Sequence, residues 1–315
     1  MLNIVSKRYW YFLLSLIIIV PGTISLITFH LKLGTDFTGG TEYTVSIPKA
    51  NESTNLSKLI GKYTGGVDFV QAIINQKACP GDCQYLARTK ESTNKQNQAI
   101  DKAIKAQYLG AKGVVQQNSV SGTIASQLTQ QAIIALAVAA IAILLYISFA
   151  FRNSPNPFRF GVAALAAMLH DVLVVLGIFS ILGATLNVEV DSTFMTAMLT
   201  IIGFSVHDTI VIFDRIRENL ARRTGEPFAM VVNHSILQSF VRSINTSFTV
   251  ILTLLAVFLF TGESIRYFVL AMLIGIISGT YSSIFNASQI LVVWHNHEIR
   301  RFLRRGSAVE PVRAA

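Results

Sequence analysis

Charge is scarce in this sequence. Only 14% of its 315 residues are Asp, Glu, Lys or Arg, whereas 52% are hydrophobic. A soluble chain of this size carries roughly a quarter charged residues, so an ordinary soluble globule is excluded. Cysteine is nearly absent as well. The two, Cys79 and Cys83, stand too far apart for a redox CxxC, and zinc would need two more ligands where no His is near. A hairpin-tip disulfide and a pair of free thiols both remain open. The histidines show no metal-ligand grouping: His234, His295 and His297 are scattered.

What is present comes in apolar blocks, at about 10–29, 131–151, 158–182, 193–213, 244–261 and 268–294. Each is long enough to cross roughly 30 Å at about 1.5 Å per residue. The pattern predicts a multi-pass α-helical membrane protein with six transmembrane helices. The first block follows Lys7 and Arg8, has no small-x-small site before His30, and reads as an uncleaved signal anchor. Pro155 and Pro157 mark a tight turn between the second and third spans. With the N-terminus inside, the inner segments hold 14 Lys and Arg against five acids, which predicts cytoplasmic termini. The basic balance is then mostly the positive-inside pattern and requires no nucleic acid.

The expected organisation is a cytoplasmic N-terminus and first span (1–29), an outer domain (30–130), a five-helix bundle (131–294) with a cytoplasmic loop at 215–243, and a basic tail (295–315) suited to anionic lipid headgroups. In the outer domain EYTVSI (42–47) alternates as a strand, 53–63 reads as a helix capped by Ser53, and 67–75 with 84–89 reads as a hairpin around ACPGDC. A second helix at 94–108 and a strand at 112–120 complete β-α-β-β-α-β, an α+β ferredoxin-like pattern. The stretch GTDFTGG (34–40) leads into the first strand, and its paired glycines permit positive φ or close backbone approach.

Two carboxylates lie where lipid is expected. Asp171 is about 13 residues into the third span, and Asp208 about six residues, roughly 9 Å, above the inner end of the fourth. A charged Asp in hydrocarbon costs at least about 2.5–3.5 kcal/mol. Such a group must face the bundle interior, pair with a cation, or take up a proton, and the last option makes it a proton-relay group. Antiparallel packing of the fourth and fifth spans predicts that Arg242 meets Asp208, with Asn245, Thr246, Ser247 and Thr249 in the same polar layer. His170 and His207 each adjoin an Asp, but helical geometry directs neighbouring side chains about 100° apart, so neither is expected as its partner. Asp214, Arg215, Arg217 and Glu218 read as the interfacial helix end, paired at i,i+3 or i,i+4. Gly275, Ser278, Gly279, Ser282 and Ser283 form a small-xxx-small stripe for close helix packing.

The motifs LGTDFTGGTEY, LHDVLVVLGIFS, IGFSVHDTIVIFDRIREN and RSINTS, with the glycine- and serine-rich last span, resemble the SecF accessory subunits of the Sec translocase (SecD/SecF family, resistance-nodulation-division class). The resemblance implies a bacterial or archaeal plasma-membrane protein that pairs with SecD and assists SecYEG, moving preproteins outward by proton-motive force. YajC or YidC are further partners that it suggests. It implies no cofactor and no enzymatic activity, only a transported ion, with Na+ as the alternative to H+. It carries functional roles onto Asp208 and Arg242; Asp171 stays a weaker relay candidate on the desolvation argument alone. One departure is His207, where the family usually has Asn. Two other classes compete: a half-transporter of the same class moving lipid or drug, and an intramembrane aspartyl protease using Asp171 with Asp208, whose flanks lack the YD and GxGD sequences of such enzymes.

Overall fold

The computed structural model describes residues 3–67, 69–72, 83–222 and 225–296. In chain order the elements are α1 (Arg8–Thr28), α2 (Thr35–Thr38), β1 (Gly40–Ile47), α3 (Ser53–Thr64), β2 (Phe69–Ala72), β3 (Cys83–Thr89), α4 (Asn94–Gln107), β4 (Gly113–Val120), α5 (Gly122–Ala150), α6 (Pro157–Leu186), α7 (Ser192–Arg222), α8 (Phe228–Phe260), α9 (Glu263–Ser282), a π-helical turn (Ser283–Ala287) and α10 (Ser288–His295). They fall into two compact units. One comprises Met1–Leu31, Ala135–Val188 and Thr193–Ala315; the other comprises Lys32–Ile134 with Glu189–Ser192.

Among the described residues six helices are long and apolar enough to cross a membrane by length and composition: Val5–Thr28, α5, α6, α7, α8 and Ile265–His295. They outrun the apolar blocks, because a helix does not stop where hydropathy does. α5 starts nine residues before the expected 131, and most of the predicted loop 215–243 is helix, continuing α7 to Arg222 and starting α8 at Phe228. α6, α7 and the last span form the interior, while α5 and α8 leave most of their surface bare. Close packing is set by glycine. A Cβ on Gly177 of α6 would stand 2.6 Å from Gly22 Cα of α1, so the two backbones touch. One turn further along each helix, Ser25 and Ser180 bond at 2.9 Å. On α9, Gly275 abuts Ile201 of α7 and Gly279 abuts Ser205. The basic tail beyond Asn296 lies outside the described residues.

In the second unit the sheet order is β2-β3-β1-β4, every neighbouring pair antiparallel, as the ferredoxin-like pattern requires. Tyr43, Val45 and Ile47 of β1 repeat every second residue, and Leu56/Ile60 of α3 and Ile100/Ile104 of α4 every fourth, so strand and helix periodicities meet in one core. Ser53 is the first helical residue of α3 and not its cap. Glu52 stands at the cap, and its carboxylate is occupied by Lys49 (2.7 Å), Asn55 (2.6 Å) and Tyr108 (2.9 Å). Those bonds hold its pKa down to about 2. Cys83, buried at the start of β3, is disulfide-bonded. Cys79, the other half of the expected staple, lies outside the described residues.

The paired glycines turn the chain from α2 into β1. Gly39 has φ +73° and Gly40 φ +120°, and a Cβ on Gly40 would come within 2.5 Å of Thr89 O. Just before them, Gly34 N–H donates to Val190 O (2.7 Å) and Val190 N–H to Lys32 O (2.8 Å). Asp36 accepts from Ser192 N–H (2.9 Å) and from the Ser192 hydroxyl. GTDFTGG therefore clasps the 189–192 segment, which the sequence reading did not foresee. Beside the clasp, buried Arg88 pairs with Glu189 and lies 3.7 Å from Glu42. Burial pushes both carboxyls up from their ordinary value, against the pull of Arg88.

Two outcomes follow from this packing. Gly177→Leu should lower the stability of the purified chain by about 1–3 kcal/mol, as overpacking does, measured by detergent-titrated unfolding. For the acids, Glu42 and Glu189 bind protons more readily folded than unfolded, so stability rises as pH falls from neutral toward their ordinary 4.5. Glu52 acts oppositely, losing its contribution as pH falls from 4.5 toward about 2. Hydrogen-exchange protection of the β1 amides in the whole chain, corrected for intrinsic rates, should therefore peak in the mildly acidic range.

Candidate functional site

Both membrane carboxylates face the bundle interior: Asp171 is 1% exposed and Asp208 2%. Their surroundings differ. Asp171 Oδ1 accepts from Ser278 Oγ (2.7 Å) and lies 3.0 Å from His170 Nδ1. Its Oδ2 accepts from Ser205 Oγ and Ser282 Oγ, both at 2.6 Å. The serines come from α7 and α9, and the glycine contacts at 275 and 279 are what bring those helices near enough to enclose one side chain. Three hydroxyl donors with an imidazole nitrogen in reach fill the surroundings of this carboxyl group, the kind of environment in which an anion can be kept in a dry interior. Removing one donor costs about 1–3 kcal/mol.

The π-helical turn adjoins this cage. At its start two consecutive residues have separate partners. Ser282 serves Asp171, while Ser283 donates to Ser205 O (3.0 Å) and lies 2.8 Å from Thr209 Oγ1. π turns recur at functional sites.

Asp208, one turn along α7 from Ser205, has a sparser environment. Its single described hydrogen bond comes from Ser247 Oγ of α8, at 3.2 Å. Ser247 in turn lies 2.7 Å from Thr280 Oγ1 of α9. A hydroxyl chain thus ties α8 to α7 and α9 at one carboxyl group. The two Asp residues have separate partners, so the shared-proton pair an aspartyl protease needs is not formed.

The expected ion pair with Arg242 is not formed either. Among the described residues no salt bridge joins them, and Arg242 is exposed. The reason is helical phase. Ser243 and Ser247 share the buried face of α8. Arg242, five residues before Ser247, is displaced by about 140° around the axis and about 7.5 Å along it. The supporting polar layer shrinks for the same reason. Asn245 and Thr246 are exposed, and Thr246 bonds back to Arg242 O at 2.8 Å. Thr249 likewise bonds to Thr246 O at 2.8 Å. Only Ser247 reaches Asp208.

Contrary to expectation, His170 does bond its neighbour Asp171. The 100° separation describes Cβ directions, and an imidazole Nδ1 bends back far enough to close it. His207 is exposed. Asp214–Arg217 (2.5 Å), Arg215–Glu218 (2.7 Å) and Arg222–Glu218 (2.7 Å) form an i,i+3 and i,i+4 ladder. It lies within α7, since the helix continues two turns past Asp214. Such half-exposed pairs contribute little each. Sequence reasoning missed Ser205 and Thr280 and read Ser278 and Ser282 only as small packing residues. The available signal was the i,i+4 spacing of their hydroxyls opposite a lone carboxylate.

With this geometry in hand, the chain can be set beside known proteins. Residues 99–297 match the family described as "Protein export membrane protein SecD/SecF, C-terminal". Residues 24–47, which contain the clasp and Gly39–Gly40, match the "SecD/SecF GG Motif". The protein translocase subunit SecF of Thermobaculum terrenum is 47% identical over 321 residues, covering all of both chains. The translocase subunit SecDF of Bacillus subtilis is 33% identical over 94% of this chain but only 38% of its own length. The crystal structure of SecDF from Thermus thermophilus, described as a translocon-associated membrane protein, superposes with a TM-score of 0.80 at 29% identity. It too is matched over 94% of this chain and 39% of its own. A hydrophobic six-helix chain with a ferredoxin-like domain, a GG clasp and buried carboxylates on its third and fourth spans thus belongs to the SecD/SecF family of protein-export membrane proteins.

Proposed function

We propose that this chain is the SecF half of a proton-driven export machine, seated beside a SecD half in the plasma membrane. Both termini and the 215–243 region face the cytoplasm, and the β domain lies outside. The pair draws preproteins outward once the SecYEG channel has begun to export them, and proton-motive force supplies the work. The length of the fused SecDF relatives supports the partner, since this chain matches only 38–39% of them. YajC or YidC and anionic lipid are secondary partners in this reading.

The observation that carries the reading is the contrast between the two membrane carboxylates. Asp171 accepts from three serine hydroxyls, with His170 Nδ1 also within 3.0 Å. Asp208, equally buried, has one long hydrogen bond and no described cation. An anion so poorly compensated in a dry bundle is driven to take a proton. As an anion Asp208 accepts from Ser247. Protonated, it has a hydroxyl of its own to donate to Ser247, which releases the Ser247 hydrogen and lets the Ser247–Thr280 contact rearrange. That contact is where α8 meets α7 and α9, so α8 is the element a proton moves. One elementary charge crossing 100 mV is worth about 2.3 kcal/mol, enough in a few steps to repack such a hydroxyl chain. Arg242 lies on the bare face of α8, free to meet a SecD half docked there. It senses this movement in the partner subunit and not through a pair with Asp208 inside this chain.

Two measurements test the reading. Asp208→Asn should abolish proton-dependent export by the reconstituted complex and leave ATP-driven initiation intact; undiminished export would remove the relay role. Arg242→Ala should change the stability of the isolated chain by no more than about 0.5 kcal/mol, as exposed substitutions do, yet impair export by the complex. A large loss of stability in the isolated chain would place its partner within this subunit.

A further inference from the structure

His170 sits near the middle of α6 and is 8% exposed. Its Nδ1 faces Asp171 at 3.0 Å, while its Nε2 is buried with no hydrogen-bond partner. The cage decides where the imidazole hydrogen resides. Each oxygen of Asp171 accepts a serine hydroxyl, an arrangement that favours the carboxylate as acceptor and Nδ1–H as the donor to it. In the neutral ring Nε2 is then a bare lone pair inside a membrane bundle. Buried polar atoms are almost always paired, and this one belongs to a ring that already bonds the caged Asp171.

We propose that His170 is a second proton-binding group of this subunit, taking a proton at Nε2 while Asp171, held as an anion by Ser205, Ser278 and Ser282, balances the charge. The step is a simple protonation. An N–H bond forms at Nε2, the ring becomes imidazolium, and it keeps its Nδ1–H bond to Asp171 as an ion pair with no net charge. Release reverses it. The other ionisable groups around the ring leave this role to it. Tyr281 of α9 has its ring centroid 6.2 Å from that of His170 and donates its hydroxyl to Tyr11 O of α1. The π-helical turn carries no ionisable side chain. Asp208 on α7 is engaged with Ser247, and His295 of α10 stacks on Phe228, with ring centroids 4.2 Å apart. The inference rests on the proton-driven reading above but not on Asp208 being its carrier.

The test uses the full chain reconstituted with its SecD partner. An asparagine at this site retains an amide N–H near the Nδ1 position but offers no base, so His170→Asn keeps the hydrogen bond to Asp171 and removes the acceptor. Proton-driven export should fall about a hundredfold, the low end of what a positioned proton-transfer group contributes, and its pH profile should lose one limb. The amount of folded, inserted protein should match the parent. Nitrogen NMR of the histidine-labelled parent reads the ring directly, with the His170 signal identified by its loss in His170→Asn and, as a second variant should that one fail to fold, in His170→Gln. At high pH it should show hydrogen on Nδ1 alone, and it should gain Nε2–H as pH is lowered across the range of about 8 to 5 in which imidazoles titrate. A ring that carries its hydrogen on Nε2 throughout, or stays neutral across that range, overturns the inference, as does an export pH profile unchanged in His170→Asn. The two proposals fail separately. A non-titrating His170 with export abolished in Asp208→Asn sinks only this one. A titrating His170 with export intact in Asp208→Asn sinks only the role of Asp208.

Discussion

A carboxylate kept inside an apolar bundle needs all its acceptor sites filled, and the arrangement of the three interior helices follows from filling those of Asp171. The donors come from three places on two other helices, which obliges α6, α7 and α9 to converge on one point. Convergence at that distance is open only to small side chains, and Gly275 and Gly279 supply it against Ile201 and Ser205. The serines have two functions, as slim packing residues and as donors. Packing and charge compensation are one constraint here: a larger residue at 275 or 279 would part the helices and take the hydroxyls from the anion with them. Asp208 lies on the margin of this construction, equally dry and far less supported. One acid is enclosed by three serine hydroxyls and the other meets a single one.

Much of this was legible in the residues. Hydropathy blocks located all six membrane helices, and the β-α-β-β-α-β order gave the sheet its strand sequence. Both depend on local periodicity, which a linear chain displays openly. The significance of Asp171 and Asp208 was equally plain, since a carboxylate among apolar residues is conspicuous whatever the tertiary structure. What stayed hidden depended on phase and on contacts distant in sequence. Arg242 and Ser247 occupy the same short motif, but five residues of helix send them to different faces, so nearness in sequence suggested a pair that one chain does not make. The bond from His170 to Asp171 depends on side-chain reach, which counting degrees around a helix leaves out. The clasp of GTDFTGG on 189–192 joins segments about 150 residues apart, and no local pattern announces it.

The second unit shows the same economy of means. Arg88 is shared by Glu42 and Glu189, one from a central strand and the other from the clasped segment, so a single guanidinium binds the GG region to the sheet. The glycines permit the turn, and the polar contacts then fix what the turn has brought together. Flexibility of backbone and specificity of side chain are assigned to neighbouring residues, and neither alone would define the junction.

The contact between Gly22 and Gly177 has a consequence for how the sequence can drift. Where two side chains meet, growth on one side can be offset by shrinkage on the other, and such pairs wander together over time. Here each partner is already the smallest residue there is. No second-site change at either position can make room for the first, so the crossing of α1 and α6 is a point at which both positions are held independently, without the compensating exchanges open to the rest of the interior.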